Sequence, residues 1–269
     1  MKPVVRIMLL LAVAALSCNK KEAPPASQPN PYKYNVRLRE ALTITDYAQQ
    51  RVASRKFSYN KDGYLSRYRY VDSTIGNPTA EVKTEIVYLR GLDNMVLMEL
   101  QTFNSGKIHT TASHHYNPDG TLIKVIYYRE NSLKSTTEYK WENGKLINVY
   151  LSDRYFQFIY STDGNLRKLT QFEDEGNNTY VHLDNAEFDN HVNVWTMIPG
   201  MANPFAIANA YPEYYSANNI TNGRIIGGRT ATYTYEYDAE GYVTKSHNFI
   251  YNYGHTSYSI TSYFYESAE

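Results

Sequence analysis

The chain has 269 residues, with 27 basic side chains, 27 acidic side chains and one cysteine. A balanced charge gives no footing for a polyanion such as nucleic acid, and one cysteine excludes a disulfide scaffold. Tyr outnumbers Phe by 28 to 9, which favours strands with wet faces, because a Tyr ring can be buried while its hydroxyl stays at water.

The chain opens with Lys2 and Arg6, then an apolar run from Ile7 to Leu16. That run falls short of the roughly 20 residues a membrane-spanning helix needs. It reads as a secretory leader. Ala15-Leu16-Ser17 ahead of Cys18 resembles a lipobox, in which cleavage precedes the cysteine and its thiol takes a lipid. The sequence thus predicts a leader over 1–17, and an acylated Cys18 followed by a flexible tether over 18–31, rich in Pro, Ala, Ser and Lys. The partner expected here is the membrane, reached through the lipid on Cys18 without a spanning segment. The implied location is the cell envelope, as an outer-membrane lipoprotein facing the periplasm or the cell surface. Loss of Lys2 and Arg6 leaves 25 basic against 27 acidic residues, a net charge of −2.

A single β domain is expected over 32–269. One motif recurs through it: Tyr59 opens "YNKDGYL", Tyr116 "YNPDGTL", Tyr139 "YKWENGKL", Tyr160 "YSTDGNL" and Tyr237 "YDAEGYV". A weaker relative, "FNSGKI", starts at Phe103. The chemistry is that of tight turns: Pro118 presets φ, Asp119 tolerates the next position, and Gly120 takes the left-handed conformation that closes a G1 bulge. The predicted corners are Asp62-Gly63, Asp119-Gly120, Asn143-Gly144, Asp163-Gly164 and Glu240-Gly241. A calcium-loop reading of these acids fails, because none supplies alternating ligands with a distant Glu. The spacing from Tyr116 to Tyr139 to Tyr160 is 23 and then 21 residues, the length of one hairpin.

The flanks alternate as strands do. Phe156, Phe158 and Tyr160 share one face, with Tyr155, Gln157 and Ile159 on the other. After Gly144 the same rule sets Leu146, Asn148 and Tyr150 on one face and Ile147, Val149 and Leu151 on the other. A chain of hairpins has exposed edges unless it curls. The predicted fold is therefore all-β, an antiparallel meander curled into a barrel or half-barrel. A lipid-spanning barrel is rejected, because Arg67, Arg69, Lys124, Arg167 and Lys168 interrupt the strands and are expected on both sides.

The repeat breaks between about 190 and 229, where a short helical or irregular insertion is expected. Asn203 can cap a helix begun by Pro204 and ended by Pro212. Two roles fit this segment. It can be a plug that completes the core, or a ligand-binding loop with Trp195, Tyr211, Tyr214 and Tyr215 as stacking platforms.

Catalytic chemistry finds little support. His114 and His115 are adjacent, so a strand points them to opposite faces. No P-loop, Gly-x-Ser-x-Gly or His-Glu-x-x-His motif is present, so no metal, cofactor or catalytic residue is assigned. The favoured function is a non-catalytic binding or scaffold module for a glycan, peptide or partner protein. The alternative is a hydrolase of envelope or dietary polymers using two carboxylates from different strands.

The stretches "EFDNHVNVW", "NPF" and "TYTYEYDAEGYVTK", with the lipobox and the hairpin repeats, resemble a surface-lipoprotein domain family of Bacteroidota-type bacteria. That family is described as having a porin-like fold and carries no assigned activity. Phe188 and Val243 depart from its usual Tyr and Pro. The resemblance covers about 32–269 and implies fold and location only. The repeats also resemble, more weakly, the YD repeats of bacterial toxin shells.

Overall fold

Asp-Gly corners reverse the chain again and again, and sixteen antiparallel strands result. The computed structural model describes residues 36–46, 50–75, 77–104, 106–130, 132–173, 178–198, 212–225, 228–252 and 255–268, all within the unit Pro31–Glu269. The strands of the first half are β1 (Val36–Asp46), β2 (Arg51–Tyr59), β3 (Leu65–Thr74), β4 (Asn77–Arg90), β5 (Val96–Phe103), β6 (Ile108–Tyr116), β7 (Leu122–Arg129) and β8 (Ser132–Glu142). Those of the second half are β9 (Lys145–Tyr150), β10 (Arg154–Tyr160), β11 (Leu166–Glu173), β12 (Asn178–Val192), β13 (Asn218–Ile225), β14 (Arg229–Tyr237), β15 (Val243–Asn252) and β16 (His255–Ser267). Each pairs with its sequence neighbours, and β1 pairs with β16 from Val36↔Ser267 to Asp46↔Tyr258. The sheet is thus a closed barrel without free edges.

The corners gather on one rim. Gly63, Gly120, Gly164 and Gly241 take φ between 82° and 92°. Asn117 N–H donates to Thr121 C=O, and Gly120 N–H donates to Asn117 C=O, each at 2.9 Å. The Asp119 carboxylate also accepts from Thr121 N–H at 2.9 Å. At two corners the side-chain cap comes from the first residue of the turn: Asn60 and Asp238 accept from Tyr64 and Tyr242 N–H, not Asp62 or Glu240. Asn143-Gly144 is a two-residue turn with φ of 50° and 73°, the hairpin type that suits strand twist. A further corner of the same kind, Gly91-Leu92-Asp93-Asn94, has Asn94 at φ 61° in the glycine place. The motif at Phe103 turns at the opposite rim, with Asn104 at φ 40° and Gly106 at φ 70°.

A methyl group at Gly120 meets only Met95 Sδ at 3.9 Å, so strain there is purely a matter of φ. Gly120→Ala is expected to cost about 1 kcal/mol and Gly120→Asn less, read by urea denaturation.

Each corner is followed by a one-residue bulge. Tyr116 faces Leu122, but His115 faces Lys124, leaving Ile123 unmatched. The same step follows Tyr59↔Leu65, Arg90↔Val96, Trp141↔Leu146, Tyr160↔Leu166 and Tyr237↔Val243. The consequence is that residues i and i+3 both point inward: Leu65 and Tyr68, Leu122 and Val125, Leu146 and Val149, Leu166 and Leu169 are all buried. This corrects the strict alternation expected after Gly144. Leu146 and Val149 share the inner face while Tyr150 lies on the outer one, 40% exposed, because the bulge shifts the period by one residue.

Porins with 16–18 strands keep an aqueous channel. Here the inner wall is lined with apolar side chains. One cluster, including Val125, Tyr139, Val149, Phe156, Leu169 and Leu183, spans β6 to β13. A second, including Leu38, Phe57, Tyr68, Ile86, Val243 and Tyr263, joins β1–β5 to β15 and β16. The outer wall carries cross-strand ion pairs: Arg67–Glu85 at 3.3 Å, Lys124–Glu138 at 2.8 Å, Arg224–Asp184 at 3.1 Å and Lys245–Glu236 at 3.3 Å. Arg67, Arg69, Lys124 and Lys168 therefore collect on the outside rather than on both sides, since the bulges put their neighbours Leu65, Tyr68, Val125 and Leu169 within. A lipid-spanning barrel presents an apolar band at that position.

One inward histidine titrates against the fold. His182 Nε2 lies 2.8 Å from Gln171 Oε1, and its ring is 5.5 Å from Phe156. Burial, and then the charge of Arg154, push its pKa below 6.5. Protonation is thus harder in the folded than in the unfolded chain, so this contribution to stability is present above pH 6.5 and is lost as pH falls below it. Melting temperature is expected to drop between about pH 7 and about pH 5, and His182→Gln to flatten that drop.

Candidate functional site

The break in the repeat begins at the end of β12. Asn193 caps a 3-10 turn, Val194–Met197, by accepting from Trp195 N–H. A second 3-10 turn, Pro212–Tyr215, leads into β13. The helix anticipated from Asn203 lies outside the described residues, as does Tyr211.

A buried polar network ties the insertion to the wall. The Asp189 carboxylate accepts from Asn219 N–H at 3.2 Å, from Asn219 Nδ2 at 3.1 Å and from the Tyr237 hydroxyl. Burial and the bond to Asp189 push the Tyr237 pKa up, so its hydroxyl stays a donor. Asn219 Oδ1 accepts from Val194 N–H at 3.3 Å, and Asn193 Nδ2 donates to Ser216 C=O at 2.9 Å. Asn165 and Asn218 bond reciprocally, 2.8 Å and 3.1 Å apart. The "FDNHVNVW" stretch is thus a clamp that fixes where Trp195 sits.

Trp195 stacks on Tyr214, with ring centroids 4.4 Å apart and planes 20° from parallel, and meets Tyr263 edge-on at 5.9 Å. Tyr215 turns away and packs edge-on against Phe158 in the first apolar cluster, at 4.8 Å. The insertion therefore divides its aromatics: Tyr215 completes the core, while Trp195 and Tyr214 border a cavity of about 160 Å³ inside the barrel.

The wall of that cavity comes from strands at the two ends of the chain. Tyr235, Ser246, Thr261 and Thr43 form one row across β14, β15, β16 and β1, and Tyr233, Asn248 and Ser259 form the next. Thr43 and Thr261 hydroxyls are 2.8 Å apart, and Ser246 Oγ is 3.0 Å from the Tyr263 hydroxyl. Arg55 on β2 donates to Thr43 Oγ1 at 3.4 Å and lies over the Tyr70 ring at 5.4 Å. Tyr70 in turn bonds Asp72, which Arg51 grips at 2.5 Å. Asn248 Oδ1 is buried with no hydrogen-bond partner among the described residues. None of the fifteen lining residues is Asp, Glu, His or Cys. No group of three or more such residues among those described could hold a metal.

Sequence reasoning reached Trp195 and Tyr214 through the irregularity of their segment. It missed Thr43, Arg55, Asn219, Asn248, Ser259 and Thr261, which meet only through barrel closure. "TYTYEY" did carry a signal, since alternation sets Tyr233, Tyr235 and Tyr237 on one face.

No protein-family model matches the chain, and no curated protein matches it. Among solved structures it is similar to a porin-like protein from Bacteroides uniformis, with 18% identity and a TM-score of 0.61, covering 90% of this chain and 100% of that one. The likeness is one of fold. Segments of a TcdB2-TccC3 complex and of the Photorhabdus luminescens Tc holotoxin pore match with TM-scores of only 0.32 and 0.31, covering 13% and 16% of those chains.

Proposed function

We propose that the chain is an envelope lipoprotein, anchored through Cys18, whose barrel is a non-catalytic binding module taking its ligand in the lumen cavity. The observation that carries the reading is the Trp195–Tyr214 stack bordering a polar-walled cavity whose lining includes no Asp, Glu, His or Cys. Glycoside chemistry requires two carboxylates roughly 5–10 Å apart, and the wall has none. Ser246 and Ser259 have no histidine base beside them in that wall. The lipobox and the fold shared with a Bacteroides porin-like protein support an envelope location, and the charged outer wall supports anchoring by lipid rather than by spanning.

Two experiments test this. Cys18→Ala is expected to move the protein from the membrane to the soluble fraction; unchanged membrane association contradicts the anchor. A thermal-shift screen with peptides and small ring compounds is expected to yield hits that Trp195→Ala removes. Hits that survive Trp195→Ala, or none at all, contradict the binding site.

A further inference from the structure

We infer that the ligand of this cavity is a single uncharged six-membered ring bearing several hydroxyls, the chemistry of a neutral pyranose sugar. The inference rests on the reading of the cavity as a binding site and names what it takes.

Size sets the first limit. Pockets for drug-sized ligands run to roughly 300–1,000 Å³, and a hole of about 150 Å³ accepts one benzene ring. At about 160 Å³ this cavity takes one ring and little more. A side-chain amide sets the second limit. Asn248 faces the cavity between Tyr233 on β14 and Ser259 on β16. Its Oδ1 is buried and has no partner among the described residues. A ligand hydroxyl both donates and accepts, so it partners that end of the amide whichever way the amide is turned. A ring without hydroxyls leaves it unpaired. The rest of the wall sets the third limit. Of the fifteen lining residues, only Val194 and Ile220 have no polar side-chain atom. The polar row suits several ligand hydroxyls, and the Trp195 and Tyr214 rings suit the C–H face of a sugar.

Charge decides between a neutral ring and an ionised one. Arg55 is the one charged residue among the fifteen that line the cavity. It is already engaged, donating to Thr43 Oγ1 at 3.4 Å and lying over the Tyr70 ring. A ligand carboxylate would therefore compete for a guanidinium that has partners. A ligand ammonium would meet no acid in the wall. Burying either ion without its own counter-charge costs far more than burying a hydrogen-bonded hydroxyl.

The test is a tryptophan-fluorescence titration of the acylated full chain in detergent micelles. Trp141 packs against the other apolar cluster and contributes a constant background. The probes are glucose and galactose, the disaccharides maltose and lactose, galacturonate, and tetrahydropyran, the same ring without hydroxyls. Glucose or galactose is expected to give a saturable change, and tetrahydropyran none. Asn248→Leu is expected to weaken the sugar at least about tenfold. The same substitution should leave the melting temperature of the sugar-free protein unchanged or raised, since it removes a buried acceptor that lacks a donor. A purely structural asparagine would lower it. Disaccharides that bind as well as their single units identify the ligand as the end of a glycan; single units alone identify a free sugar. Either result supports the inference. No response to any sugar, tetrahydropyran binding as tightly as glucose and galactose, galacturonate binding more tightly than galactose, or an Asn248→Leu protein of undiminished affinity overturns it. In each case the broader screen with Trp195→Ala still decides separately whether the cavity binds anything.

Discussion

Replacing His114 by Leu is expected to lower stability by about 3–5 kcal/mol. The cause is the group left behind. His114 and Glu99 have fully buried side chains, with Nε2 and Oε1 2.9 Å apart. Glu99 Oε2 accepts from Gln101 Nε2 at 3.2 Å, and no other acceptor or donor bond to this carboxylate is present among the described residues. Glu99 points inward because the bulge after Val96 puts the third residue on, as well as Val96 itself, on the inner face. Taking away the histidine strands a carboxylate in an apolar wall. The paired replacement Glu99→Leu with His114→Leu should cost much less than the single one, since an apolar pair of similar volume needs no partner. Urea denaturation of the two single variants and the double variant measures this. For a domain of this length the single loss corresponds to a fall in melting temperature of roughly 6–20 °C. A double variant as unstable as His114→Leu alone would show that the two groups do not compensate each other.

The second large effect is expected at Asp189. Asp189→Ala removes the acceptor for Asn219 N–H, Asn219 Nδ2 and the Tyr237 hydroxyl together. The same carboxylate also accepts from His191 N–H at 3.0 Å; bonds to a charged group contribute about 1.5–3 kcal/mol each, and four on one carboxylate do not add in full. A loss of about 3 kcal/mol is the expected net. The local effect should exceed the global one. Asn219 also holds Val194 N–H, so its release frees the 3-10 turn that carries Trp195. Acrylamide should then quench Trp195 more strongly than in the parent protein, at temperatures well below melting. Unchanged quenching would mean that the clamp does not position the tryptophan.

The barrel was legible because its corners use residues with few alternatives. Gly63, Gly120, Gly164 and Gly241 sit at φ values that most side chains avoid, so a glycine after an acid marks a reversal wherever it recurs. The corner at Asn94 escaped because Asn also tolerates that conformation. The inner face was legible only in part. Period-2 reasoning fails at each bulge, and no one residue type marks a bulge: the unmatched residues, Ser66, Leu97, Ile123, Ile147, Arg167 and Thr244, are hydroxyl, apolar and charged alike. Closure between β1 and β16 was not readable from either strand, because pairing across the whole length of the chain sets no local pattern. The cavity inherits that limit. Trp195 and Tyr214 stand within one irregular stretch, whereas Arg55, Asn248 and Thr261 become neighbours only when the ring of strands closes.

The most direct measurement is crystallographic: crystals of the β domain over 32–269 soaked in a set of single-ring, hydroxylated compounds. The account predicts electron density for a ring inside the barrel, beside the Trp195–Tyr214 stack, with a hydroxyl within hydrogen-bond distance of Asn248 Oδ1. Compounds found only on the outer wall, with no ring at the Trp195–Tyr214 stack under any soak, would contradict it.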